Sequence, residues 1–174
     1  MHTQRGATLI ELFIGLVIMG ILIAAGVPTF RTWVQNTQIR TAAESVQNGL
    51  QVARNEAVRR NANVAFQLGS GSGWSVVVVK TGATVQSRAK EEGSDNVTVL
   101  VTPSASTMVT FTGLGRIVTL NADGTSPITR LNFDVPTTIL PAASSRDLQI
   151  DISPGGQIRM CDPNVSATTD PRKC

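Results

Sequence analysis

A single carboxylate interrupts the longest apolar run of this chain. Residues 7–27 carry one charged side chain, Glu11, and Leu12–Val27 carry none. A charge inside an apolar segment of membrane length costs about a few kcal/mol or more, so it normally has a partner of opposite sign and a function. At the other end of the chain, Arg159, Arg172 and Lys173 stand beside two cysteines, Cys161 and Cys174, with Asp162 and Asp170 among them. Cations placed this way can contact phosphates; the simpler reading is a set of solubilising tail charges. Asp147 and Asp151 each lie two positions from Gln149. On a strand all three would face one side. Two carboxylates so placed can act as an acid/base pair, although two solvated strand carboxylates are the plainer reading.

Other chemistry is poorly supplied. The one histidine is His2, and there is no tyrosine. The run Gly69-Ser70-Gly71-Ser72-Gly73 lies between strand-like segments and opens no helix, so it does not form a phosphate loop. The cysteine region lacks enough further ligands for a metal site. The sequence therefore argues against an enzyme and predicts neither cofactor nor metal. The formal charge of +3 falls to about +2 without the first six residues, too small a bias to indicate a nucleic-acid binder.

These residues must be positioned by a helix and a sheet. As a helix, Leu12–Val27 covers about 24 Å. Adding residues 7–11 brings this to about 30 Å, the thickness of a bilayer's hydrocarbon core. Beyond Pro28, Ile39, Ala43, Val46, Leu50, Ala53 and Ala57 recur at steps of three and four, one apolar face of a helix. The pattern predicts one helix from about Ala7 to about Arg60, roughly 80 Å long. Its first half is membrane-like and its second half is suited to packing on a sheet. A coiled coil is the alternative, for which the stripe is short and rich in alanine. Within it, Glu56 and Arg60 are spaced as an i,i+4 ion pair on a solvated face.

Strand patterns follow. Val64, Phe66 and Leu68 alternate, and Trp74–Lys80 holds four consecutive valines. Residues 81–96 are polar and read as an exposed loop or edge. Val97, Val99 and Val101 alternate up to Pro103. Met108–Thr119 suggests a strand or a pair broken at Gly113-Leu114-Gly115. Leu131, Phe133 and Val135 alternate. Leu148, Ile150 and Ile152 pair with Ile158 and Met160 in a hairpin through Ser153-Pro154-Gly155-Gly156. The expected fold class is α+β, with a long N-terminal helix packed on antiparallel β-sheet.

Three readings compete for the N-terminal segment. A secretory signal peptide would find small residues in Ala24-Ala25-Gly26, but Glu11 breaks its core and the helical pattern continues past Thr29. A plain membrane anchor explains the length and gives Glu11 no role. The third reading is a resemblance. Arg5-Gly6, then Ala7, Glu11 as the fifth residue after Gly6, Gly20 and Pro28 together resemble the N-terminus of type IV prepilins. Ala7 departs from the phenylalanine common in major pilins; minor pilins and pseudopilins vary there.

This resemblance implies a pilin fold and cleavage by a prepilin peptidase between Gly6 and Ala7. It divides the chain into a leader, 1–6, a membrane and filament-core half-helix, 7–28, and a periplasmic domain, 29–174, that includes the rest of the helix. It implies an inner-membrane precursor and an extracellular pilus. The expected partners are other pilins and minor pilins. Glu11 would pair with the free or methylated amine of Ala7 on a neighbouring subunit, so that no lone charge is buried during assembly. Cys161 and Cys174 would be paired in such an exported domain, the alternative being two free thiols.

Two further stretches are similar to the GspH/FimT branch of minor pilins and pseudopilins: Ala53–Arg60, and the C-terminal run from Gly156 to Pro163 with Asp170–Cys174. Some members of that branch are associated with DNA uptake through a Gly-Arg-X-Arg motif. Here Gly156 and Arg159 match, and Gln157 replaces the first arginine. Arg172 and Lys173 are the nearest substitutes for the missing cation. The resemblance thus implies a minor pilin of a priming or tip complex, with DNA as a further candidate partner. The alternative is a minor pseudopilin of type II secretion.

Overall fold

The computed structural model describes residues 8–174. Helix α1 (Leu9–Arg60) opens the chain. Thr8 precedes it, and the Thr8 amide and hydroxyl both donate to Glu11 Oε2 at 3.2 Å, while the Glu11 amide lies 3.4 Å from Thr8 Oγ1. This reciprocal arrangement is a capping box, which satisfies backbone donors that the first helical turn cannot. Pro28 sits inside the helix. The helix ends after two arginines at Asn61, which has φ +48°. The Asn61 amide donates to Val58 O and the Ala62 amide to Ala57 O, the paired bonds of a Schellman stop.

The described residues up to Val34, and Gln35–Cys174, form two compact units. In the second unit, β1 (Val64–Leu68), β2 (Trp74–Val78), β3 (Thr84–Arg88) and β5 (Met108–Phe111) form one sheet in the order β3-β2-β1-β5. The other sheet, in the order β4-β6-β7-β8, holds β4 (Thr98–Thr102), β6 (Arg130–Asp134), β7 (Leu148–Ile152) and β8 (Ile158–Cys161). Every pairing is antiparallel. The core joins Ile39, Ala43, Val46, Leu50, Ala53 and Ala57 of α1 to Phe66, Val76 and Phe111 of the first sheet and Leu131, Phe133 and Ile150 of the second. Gly49 lets the helix approach closely. A Cβ there would lie 2.9 Å from Phe66 Cε2 and from two Trp74 ring atoms. The buried Trp74 indole is satisfied by Ser45 Oγ at 2.9 Å.

The polar stretch 81–96, read as an exposed loop or edge, contains the edge strand β3, paired with β2. Of the strand or pair expected over Met108–Thr119, β5 forms, and after Gly115 a single bridge joins Phe111 to Ile117. One detail differs from the sequence reading. Asp147 lies just before β7 and does not share a strand face with Asp151.

Candidate functional site

Two groups of sequence-selected residues are placed by these elements. The first is at the start of α1. The helix is long and apolar enough to cross a membrane, and its most apolar stretch is not buried. Leu9, Ile10, Leu12, Phe13 and Ile14 stand exposed around Glu11. The energy of burying this exposed surface is available to lipid or to another chain. The Glu11 carboxylate already accepts from Thr8, and among the described residues no cation pairs with it. The capping box was legible as Thr-x-x-Glu before an apolar run. Gly6 and Ala7 lie outside the described residues.

The second group surrounds the C-terminal tail. Cys161 and Cys174 are disulfide-bonded, with Cα atoms 5.0 Å apart. The Asp162 amide donates to Arg172 O at 2.7 Å, and Asp162 bridges Lys173 in a parallel sense at the end of β8. Arg159 Nη2 donates to the carbonyls of Pro171 and Lys173. Lys173 Nζ donates to Ser166 O at 3.3 Å. Arg172 pairs with Asp170 at 2.7 Å. Hydrogen bonds from the Arg172 side chain, with its amide second, hold the Asp170 carboxyl down at about 2.

The structure does not gather the three candidate cations into one site. Arg159 lines an open cleft of about 570 Å³ together with Arg130, Asp151 and Gln157. Arg172 lines another, of about 460 Å³, with Arg40, Arg146, Glu44 and Asp162. Lys173 lines neither. Arg40, Arg146 and Arg130 were not selected from sequence. They come from distant parts of the chain, and no local spacing marks them. Two of these charges are answered within the domain: Arg40 pairs with Glu44 at 2.7 Å and Arg130 with Asp151 at 2.8 Å.

Gly156, the motif glycine, has a packing role. It has φ +80°, and a Cβ there would overlap the carbonyl oxygen of Gly115 and lie 3.3 Å from Arg54 Nε. That Arg54 Nε donates to Gly115 O at 3.1 Å, and the Ile117 amide donates to Pro154 O at 3.2 Å. The β7–β8 turn is thus locked to the 113–117 loop and to α1.

The acidic residues do not make a catalytic pair. Asp151 carries the Arg130 ion pair and accepts from Gln149 Nε2 at 3.0 Å. Asp147 and Asp134 share Ser145 Oγ, at 2.5 and 3.0 Å. Burial raises the Asp147 carboxyl above its ordinary value, opposed by the Ser145 hydrogen bond. Among the described residues no group of three or more His, Cys, Asp or Glu is placed to hold a metal.

Comparison with known proteins agrees with this architecture. Residues 42–156 match the family model described as type II transport protein GspH. Among solved structures, the chain is similar to the type IV minor pilin FimU of Pseudomonas aeruginosa strain PAO1 in two crystal forms. In the first, identity is 20% over 78% of this chain and 99% of that one, with a TM-score of 0.54. In the second, identity is 21% over 74% and 99%, with a TM-score of 0.52. At this identity the likeness shows a shared fold: a long N-terminal helix on antiparallel sheets. With two thirds of its length matched, the chain belongs to the GspH family of minor pilins and pseudopilins.

Proposed function

We propose that this chain is a minor type IV pilin. In this reading prepilin peptidase cuts between Gly6 and Ala7. Residues 7–28 hold the precursor in the inner membrane, and residues 29–174 face the periplasm. The mature subunit then enters the extracellular pilus with other pilins, in a priming or tip complex. The observation that supports this best is the uncovered apolar surface of α1 with one carboxylate at its start. In a permanent anchor Glu11 would serve only as the cap of the first helical turn. A subunit that moves from lipid into a helical filament has a further use for it, because pairing with a neighbour's amine spares a lone buried charge. The test is Glu11→Ala in cells. The variant should be cleaved and recovered in membranes, and be depleted about tenfold or more from sheared pili. Normal incorporation refutes the pairing role of Glu11; absence of the parent chain from sheared pili refutes the pilin assignment.

The matched family description favours one alternative, a minor pseudopilin of type II secretion. Copurification with sheared pili supports the first reading; a secretion defect with intact pili supports the second. DNA contact during transformation would fall on Arg159, Arg172 and Lys173. Each already has an intrachain hydrogen-bond partner, which lowers its value to a phosphate. A low-salt gel shift of the detergent-solubilised chain tests this: no shift at high micromolar protein, or no loss with Arg159→Ala, removes DNA from the list of partners.

A further inference from the structure

Just past the apolar run, α1 carries two aromatic rings on one face. Phe30 and Trp33 lie 5.9 Å apart between ring centroids, with a 34° interplanar angle. Each is 63% exposed. Arg31 stands between them in sequence and is exposed, and the Thr32 hydroxyl folds back onto the Pro28 carbonyl at 3.2 Å. The first buried residue of the helix is Ile39. The rings therefore fall between the lipid-like run and the packed face of the helix.

Their distance from Glu11 is informative. At 1.5 Å per residue, Phe30 is about 29 Å and Trp33 about 33 Å along the helix from Glu11. The hydrocarbon core of a bilayer is about 30 Å thick. Amphipathic rings such as indole concentrate at the level of the headgroups; Phe30, which has no polar edge, adds apolar contact area beside Trp33. Arginine beside them extends its head to the same level.

We propose that Phe30 and Trp33 form an interfacial anchor, seated at the headgroup–acyl boundary of the outer leaflet of the inner membrane. This deepens the membrane stage of the function proposed above and rests on it. The anchor fixes the depth of the helix. With the rings at one boundary, Glu11 is held at the opposite boundary, at headgroup level and not in the hydrocarbon. The carboxylate is then hydrated before assembly, and its need for a counter-charge arises on leaving the bilayer.

The chain has two tryptophans, and the second, Trp74, is buried in the core, so Trp33 can be followed by its own fluorescence. The full chain is reconstituted into phosphatidylcholine vesicles, floated, and measured with lipids brominated near the headgroup or deep in the acyl chain. The Trp33→Phe variant, which keeps Trp74 in place, supplies the background to subtract. The expected result is that shallow bromines quench the Trp33 signal about twofold or more, deep bromines quench it less, and the variant is not quenched. Floated protein whose Trp33 is unquenched, or is quenched most by deep bromines, overturns the anchor and leaves the membrane reading standing. Protein that does not float with the vesicles overturns both.

Discussion

Replacing Gly156 by alanine tests whether the motif glycine is there for packing. The substitution acts in three ways. An L-residue at φ +80° costs about 1 kcal/mol or more. The new methyl overlaps the carbonyl oxygen of Gly115 and sits 3.0 Å from its carbonyl carbon. Backbone cannot rotate aside as a side chain would, and overpacking of this kind costs about 1–3 kcal/mol. Relief requires the β7–β8 turn to retreat, which breaks the Ile117–Pro154 hydrogen bond for about another 1 kcal/mol. The total is about 3–5 kcal/mol, a large part of the roughly 5–15 kcal/mol that stabilises a domain. At about 2–4 °C per kcal/mol the melting temperature should fall by about 6–20 °C. The assay is thermal unfolding of the detergent-solubilised chain, read from Trp74 emission. Gly155→Ala is the control, because its Cβ would meet only Ser153 Oγ at 3.9 Å. The reasoning is refuted if Gly156→Ala melts within about 2 °C of the parent, or if Gly155→Ala is equally damaging. A Gly156 variant that loses DNA binding in this chain would accordingly report unfolding of the turn before it reported a lost contact.

Two other outcomes follow from contacts already described. Hydrogen bonds from Arg59, then Arg60, hold the Glu56 carboxyl at about 2, below its ordinary 4.5. A depressed folded pKa stabilises above the unfolded value and loses that effect as pH falls. The stability gap between the parent and Glu56→Gln should be constant above about pH 5, no more than about 1 kcal/mol given the exposed arginines, and gone near pH 2. Urea titrations at several pH values measure it. Cys174→Ser opens a short loop and should cost about 2–4 kcal/mol in the same assay; a loss under about 0.5 kcal/mol would contradict the loop-entropy estimate.

Most of the architecture was legible because burial is periodic. The three-and-four stripe from Ile39 to Ala57 is the buried face of α1, and the alternating apolar residues of β1, β4, β6 and the β7–β8 hairpin mark strands. Residues 81–96 read only as a loop or edge because β3, Thr-Val-Gln-Ser-Arg, is polar at four of its five positions and buries none of them fully. The division into two sheets was also hidden, since β1 pairs with β5 and β4 with β6, pairings that skip over intervening strands. At the candidate site, Glu11 is conspicuous as a charge, and its bond to Thr8 is a local signal carried by the Thr-x-x-Glu spacing. Arg159 and Gly156 were visible as fragments of a motif. Their roles were not, because they depend on Lys173, Pro171 and Gly115, which only the folded chain brings close.

The tail seated on the end of β8 has a consequence beyond the strength of the fold. β8 is the last strand of its sheet, and an open edge offers unpaired backbone groups to any other extended chain. In the oxidised domain the Asp162–Lys173 bridge and the Asp162–Arg172 bond occupy part of that edge, and the cysteine pair keeps them there. The two cysteines therefore help keep that edge closed to indiscriminate strand-to-strand pairing.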